Sequence, residues 1–155
     1  MKIVDLLKRE SVELNGKVTS KPEAIEKMVA LMAAGGNLAD VEAYKKGVFA
    51  REEESTTGIG EGIAIPHAKT AAVKAPGLAA MVIKDGVDFD SLDDEPVNLL
   101  FLIAAPNTED NIHLDVLSKL SMLLMDENFV ENLKNASSVD EFLQIVDAAD
   151  EEKPD

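Results

Sequence analysis

A chain of 155 residues with about 46% apolar residues holds enough hydrophobic material for one packed domain, which argues against disorder along its whole length. Its formal charge of −15, from 30 acids against 15 bases, disfavours nucleic acid and anionic membrane surfaces as partners. It has no cysteine, which excludes disulfides and thiolate metal sites, and with five Phe, one Tyr and no Trp its core must be aliphatic.

The opening MKIVDLLKRE alternates charge with apolar residues and lacks the apolar centre of a signal peptide. The longest apolar stretch, residues 97–106, is too short to span a bilayer, so the chain reads as soluble and cytoplasmic. Ser20-Lys21-Pro22-Glu23 has capping-box spacing, with Pro in the first turn. Ile25, Met28, Val29 and Met32 follow at helical spacing, and Gly35-Gly36 stops the helix. Asp40 can cap a second helix with Val41, Tyr44 and Val48 on one side, although Gly47 weakens that pattern. Residues 55–62 read as a glycine-rich loop, and Ile63-Ala64-Ile65 as a short strand stopped by Pro66. Residues 78–83 and 97–104 read as strands buried on both faces.

Asn107 or Thr108 can cap a long helix striped by Ile112, Val116, Leu117, Leu120, Leu123 and Leu124. Asp126 can cap a short helix carrying Phe129, Val130 and Leu133. A second capping box, Ser138 to Glu141, opens a helix with Phe142, Ile145 and Val146. The charged residues 150–155 read as a flexible acidic tail after a domain spanning 1–149. Helices alternating with apolar strands predict an α/β (α+β) fold, a sandwich of sheet and helices.

The chain has only two histidines. His67 follows the glycine loop and the short strand, at a strand end that Pro66 makes rigid. His113 falls in the first turn of the long helix, where free N–H groups and the helix dipole favour an anion. Paired imidazoles, one attacking and one donating a hydrogen bond, can hold a phosphoryl group, and Arg51 offers a guanidinium fork that matches phosphate. Bland readings stand beside these. Either histidine can be structural, Arg51 with Glu52-Glu53-Glu54 can be a solvated ion-paired face, and the glycines can be an ordinary connection. The charge itself serves solubility or steers the chain to a basic partner. The glycines match neither a Walker A loop, since Ile63 follows Gly62, nor G-x-G-x-x-G. A metal site from the histidines with Asp110 or Asp115 lacks any short ligand pair, and Ser55 and Ser91 lack a nucleophile elbow.

The stretch Arg51-Glu52 … Ser55-Thr56-Thr57-Gly58-Ile59-Gly60-Glu61-Gly62-Ile63-Ala64-Ile65-Pro66-His67-Ala68-Lys69 closely resembles the IIA domains of the bacterial phosphotransferase system, fructose/mannitol type. Asn111-Ile112-His113-Leu114-Asp115-Val116-Leu117 resembles that family's second-histidine helix. The resemblance runs from Val4 to the final helix and implies a mixed β-sheet flanked by α-helices. It implies that His67 is the phosphorylated nucleophile through Nε2, taking phosphate from phospho-HPr and passing it to an EIIB domain for uptake of fructose, mannitol or a related sugar. It implies that His113 donates a hydrogen bond to the phosphoryl oxygens and that Arg51 swings in to neutralise charge. No cofactor and no metal are implied, and the membrane is reached only through the transporter's EIIC component. A regulatory, nitrogen-type member of the same family is the alternative. An apolar collar around the site is expected from Ile59, Ile63, Ala68 and Leu114. Glu61 is expected to face away from the phosphate or to bond the loop backbone, because a carboxylate beside a dianion is unfavourable.

Overall fold

The two longest apolar runs become the centre of one sheet. In the computed structural model, which describes residues 2–152, the strands are β1 (Leu7–Glu13), β2 (Gly58–Gly60), β3 (Ile63–Ala64), β4 (His67–Thr70), β5 (Gly77–Val87) and β6 (Val97–Pro106). They form a mixed sheet in the order β1-β5-β6-β3-β2, and β4 pairs with β6 as well. The central β5–β6 pair is antiparallel, from Gly77↔Ala104 to Val87↔Val97. Successive residues of a strand face opposite sides. Leu78, Ala80, Val82, Leu99, Phe101 and Ile103 therefore join one core layer, and Ala79, Met81, Ile83, Leu100, Leu102 and Ala104 join the other. A strand buried on both faces has no room for the polar alternation that marks a half-exposed one.

Among the described residues five α-helices cover those faces: α1 (Lys21–Ala34), α2 (Val41–Glu54), α3 (Ile112–Leu123), α4 (Glu127–Lys134) and α5 (Val139–Glu152). α1 and α2 supply Ile25, Met28, Met32, Tyr44 and Val48 to one layer. α3, α4 and α5 supply Leu120, Leu123, Phe129, Leu133, Phe142 and Val146 to the other. The helix starts follow the sequence signals. Ser20 Oγ accepts from Glu23 N–H at 3.3 Å and the Glu23 carboxylate from Thr19 N–H at 2.6 Å. Ser138 and Glu141 repeat the device, each bond at 3.1 Å. Asp40 and Asp126 cap α2 and α4.

Three expectations about elements need correction, and one strand escapes the sequence pattern. The long helix does not start from Asn107 or Thr108: β6 runs to Pro106, and α3 begins at Ile112 after Asn111, whose side chain makes no capping bond. The loop at residues 55–62 contains a strand, since β2 and β3 form an antiparallel hairpin around Glu61-Gly62. β1, parallel to β5, went unread because Lys8, Arg9 and Glu10 are exposed on an edge strand between buried Leu7 and buried Ser11 and Val12. Asp150 belongs to no tail: it lies in α5, 2% exposed, with Lys119 Nζ 3.4 Å away and Val4 N–H bonded to it at 3.0 Å. Residues 153–155 of the expected tail lie outside the described residues.

Candidate functional site

β3 and β4 run along the same neighbour. Ile63 and Ala64 pair with Leu99 and Leu100, and His67 to Thr70 pair with Ile103 to Pro106, both parallel to β6. Pro66 interrupts the run because it has no N–H, yet its carbonyl still accepts from Ile103 N–H at 3.0 Å. His67 is therefore the first residue of a new strand on a backbone already committed to the sheet. Ile103, its register partner, is held further by Tyr44, whose hydroxyl donates to the Ile103 carbonyl at 2.7 Å. Burial pushes the Tyr44 hydroxyl pKa far up, so it remains a donor.

Among the described residues β4 has one sheet neighbour, and its side chains sort by parity. Ala68 and Thr70 face α2, where a Cβ added at Gly47 would sit 3.5 Å from Ala68 Cβ and 3.0 Å from Thr70 Cγ2. Gly47 lets α2 approach β4 closely, which is the reason for a glycine that weakens the helix pattern. His67 and Lys69 point to the other side, towards α3. A cleft of about 500 Å³ opens there, lined by Arg51 and Glu54 of α2, His67 and Lys69 of β4, and His113 and Leu117 of α3, with Gly47, Ala50, Ala68, Thr70 and Leu114. The three residues singled out from the sequence, His67, His113 and Arg51, thus share one cleft.

The His67 ring is half-buried, and its Nδ1 lies 2.9 Å from the Ile65 carbonyl. A carbonyl oxygen can only accept, so Nδ1 carries the proton and Nε2 keeps its lone pair. That arrangement makes Nε2 a nucleophile with its partner nitrogen tied to the backbone two residues away. The His113 ring sits in the first turn of α3, and its Nδ1 is buried with no hydrogen-bond partner among the described residues. Burial lowers its pKa below the usual 6.5, the charges of Lys69 and His67 lower it further, and Asp115 opposes them. His113 is therefore neutral at neutral pH. Arg51, in the last turn of α2, donates to the Ser55 carbonyl at 3.0 Å and to Ser55 Oγ at 3.4 Å. Those are exposed bonds that an anion in the cleft can replace.

Below Arg51 the sequence pattern misleads. Glu52, read as part of a solvated acidic face, is buried. Its carboxylate accepts from Thr57 N–H at 3.2 Å and from the Thr57 hydroxyl, and Lys21 Nζ lies 2.9 Å away. It anchors the end of α2 to the loop that leads to β2. Of the apolar collar expected from sequence, Ala68 and Leu114 line the cleft. Ile59 and Ile63 line a different one, with Glu61, Ser121, Leu124 and Met125. Leu117 takes their place. Glu61 is exposed at the β2–β3 turn with φ 58°, and its N–H donates to Asp93 at 3.0 Å, so it does not line the cleft of His67. That N–H, with the one from Glu95, holds the Asp93 carboxyl below its usual range. Among the described residues no group of three or more His, Asp or Glu is arranged to hold a metal. The Asp110 carboxylate is occupied by the Thr108 hydroxyl.

The family model described as "Phosphoenolpyruvate-dependent sugar phosphotransferase system, EIIA 2" matches residues 5–149. The fructose-specific EIIABC component of Bacillus subtilis is 46% identical over 150 residues, covering 97% of this chain and 24% of that protein. The chain thus spans about a quarter of that relative. Among solved structures, the nitrogen regulatory protein IIA-Ntr of Neisseria meningitidis aligns with a TM-score of 0.85 at 33% identity, covering 93% of this chain and 98% of that one. The enzyme IIA-mannitol of Escherichia coli, in complex with phosphorylated enzyme IIB-mannitol, aligns with a TM-score of 0.78 at 32% identity, covering 91% and 98%.

Proposed function

The chain belongs to the EIIA 2 family of the phosphoenolpyruvate-dependent sugar phosphotransferase system, and from that premise we propose that it is a phosphocarrier whose phosphoryl group rides on His67. The observation that carries the reading is the His67 ring itself. It opens on a cleft shared with His113 and Arg51 while Nδ1 is tied to the Ile65 carbonyl, which leaves Nε2 as the reactive nitrogen. The Nε2 lone pair attacks the phosphorus of phospho-HPr. One N–P bond forms as the donor's N–P bond breaks, and the donor imidazole departs. The same exchange in reverse delivers the group to an acceptor side chain on an EIIB domain.

The chain's residues supply placement and charge. The incoming group adds about −1.5 to −2 charges. Arg51 exchanges Ser55 for phosphoryl oxygens, and His113 donates a hydrogen bond from a neutral ring. Leu114 and Leu117 exclude stray water, which protects a labile N–P bond from hydrolysis. The carrier serves uptake of fructose, mannitol or a related sugar, works in the cytoplasm, and meets the membrane only through the EIIC component. Among the described residues no helix is long and apolar enough to cross a membrane.

Phosphoenolpyruvate, the general phosphotransferase proteins and labelled phosphate test the assignment. The wild-type chain takes up label and His67→Ala takes up none; label retained in that variant overturns the reading. His113→Ala is expected to accept from HPr yet transfer poorly onward. The high similarity to a nitrogen regulatory protein favours one second reading, in which the phosphate state of His67 controls protein binding. Transfer from the phosphorylated chain to an EIIB domain separates the two, since only the transport carrier delivers it.

A further inference from the structure

We infer that Lys69 is the positioning residue for His113: its ammonium, bonded to the Asp110 carbonyl, ties β4 to the entry of α3 and sets where the second imidazole stands. The inference deepens the phosphocarrier reading and rests on it for its consequence, though its geometry stands alone. α3 starts without a side-chain cap. The Asn111 side chain makes no capping bond, and the Asn111 carbonyl accepts from Leu114 and Asp115 N–H at 3.0 and 3.1 Å, so it serves the helix behind it and nothing in front. Behind it α3 packs Val116 and Leu120 into the core, and at its entry the tie to the sheet is Lys69 Nζ, which donates in an exposed bond to the Asp110 carbonyl at 3.1 Å across 41 residues of chain. Asp110 is three residues before His113, less than one helical turn.

The other end of the tie is rigid. Lys69 pairs with Ala105 in the same parallel ladder that holds His67 to Ile103. His67 and Lys69, two apart on a strand, face the same side. One strand therefore presents the nucleophile and, beside it, the cation that holds the helix bearing the second ring. The cation has a second effect on that ring. The groups facing His113 are Lys69 and His67 from β4, Asp115 from α3 itself, and Arg51 and Glu54 from α2 across the cleft. Lys69 is the strongest of the charges that disfavour protonation of His113, so it helps to hold the ring in its neutral form.

The test compares Lys69→Met with Lys69→Arg in the full chain. Histidine titration by NMR is read first, on unphosphorylated protein, followed by single-turnover transfer from phospho-His67 to EIIB. Lys69→Met is expected to move the His113 titration upward and to slow onward transfer at least about tenfold, towards the roughly hundredfold that a misplacement of about 1 Å can cost. Lys69→Arg, which keeps the charge and a donor, is expected to leave both near wild type. Should Lys69→Met unfold the chain, Lys69→Gln replaces it with the same expectation. An unmoved His113 titration in the neutral variants, or Lys69→Arg as impaired as Lys69→Met, overturns the inference. Because the titration is read without phosphate, loss of phosphoryl chemistry at His67 and loss of this tie give different results.

Discussion

The two walls of the cleft are held in opposite ways. On the β4 side, His67 stands on a strand whose backbone is paired residue by residue with β6 and whose ring is tied to a carbonyl two residues back. On the α3 side, His113 stands on a helix whose first turn has no side-chain cap and whose Nδ1 has no partner among the described residues. Two buried carboxylates brace the elements around the cleft: Glu52 ties the Arg51 end of α2 to the Thr57 loop, and Asp150, in α5, lies under α3 through Lys119. The lesson is that backbone pairing alone can place one imidazole, whereas the other depends on side-chain contacts brought from distant elements.

Substitutions at the two anchors sharpen that contrast. The largest effect is expected from Asp150→Ala, which removes the carboxylate facing the buried Lys119 ammonium and the acceptor of the Val4 N–H. It should cost about 3 kcal/mol in urea unfolding and perturb His113 resonances more than those of His67. Glu52→Ala comes next, at about 2 kcal/mol, because Lys21 keeps Asp90 at 3.6 Å and the Phe89 ring at 4.7 Å. Its NMR signature should fall on the Arg51 to Thr57 segment. A mirror-image result, with Asp150→Ala disturbing His67 first, would break the comparison.

Tyr44→Phe removes one buried donor from the Ile103 carbonyl and should cost about 1 kcal/mol by the same measurement. The smallest effect is a pH dependence. Folding depresses the His113 pKa, so the unfolded chain binds that proton first. The contribution is intact above the usual 6.5 and is lost as pH falls below it through the folded-state value. Unfolding followed from pH 7.5 to 5 should show this component in the wild type and lose it in His113→Gln; an identical profile in the variant would show that the His113 wall is indifferent to charge.

Much of this was legible along the chain. Capping boxes at Ser20 and Ser138, the cap at Asp40, and the apolar runs of β5 and β6 all have causes within a few residues, so their spacing carries the information. His67, His113 and Arg51 stood out by residue type and motif, and the fold gathers them in one cleft. Glu52, Asp150 and Lys69 were missed for a common reason. A charge that is buried or bridges elements looks, in one dimension, like a charge in solvent, because its partners are dozens of residues away. β1 hid for a related reason: an edge strand can carry charges on its open side.

By itself, then, the sequence determined the helices, the two central strands and a sandwich of sheet and helices, all of which follow from hydrophobic periodicity and local hydrogen bonding, and its motif marked His67, His113 and Arg51 as candidates. Only the tertiary structure decided which face of β4 opens on the cleft, that Gly47 lets α2 close on that strand, and that Lys69 reaches the entry of α3. Those facts depend on distances between elements far apart in the chain, and such distances are set by packing a common core rather than by any residue's neighbours in sequence.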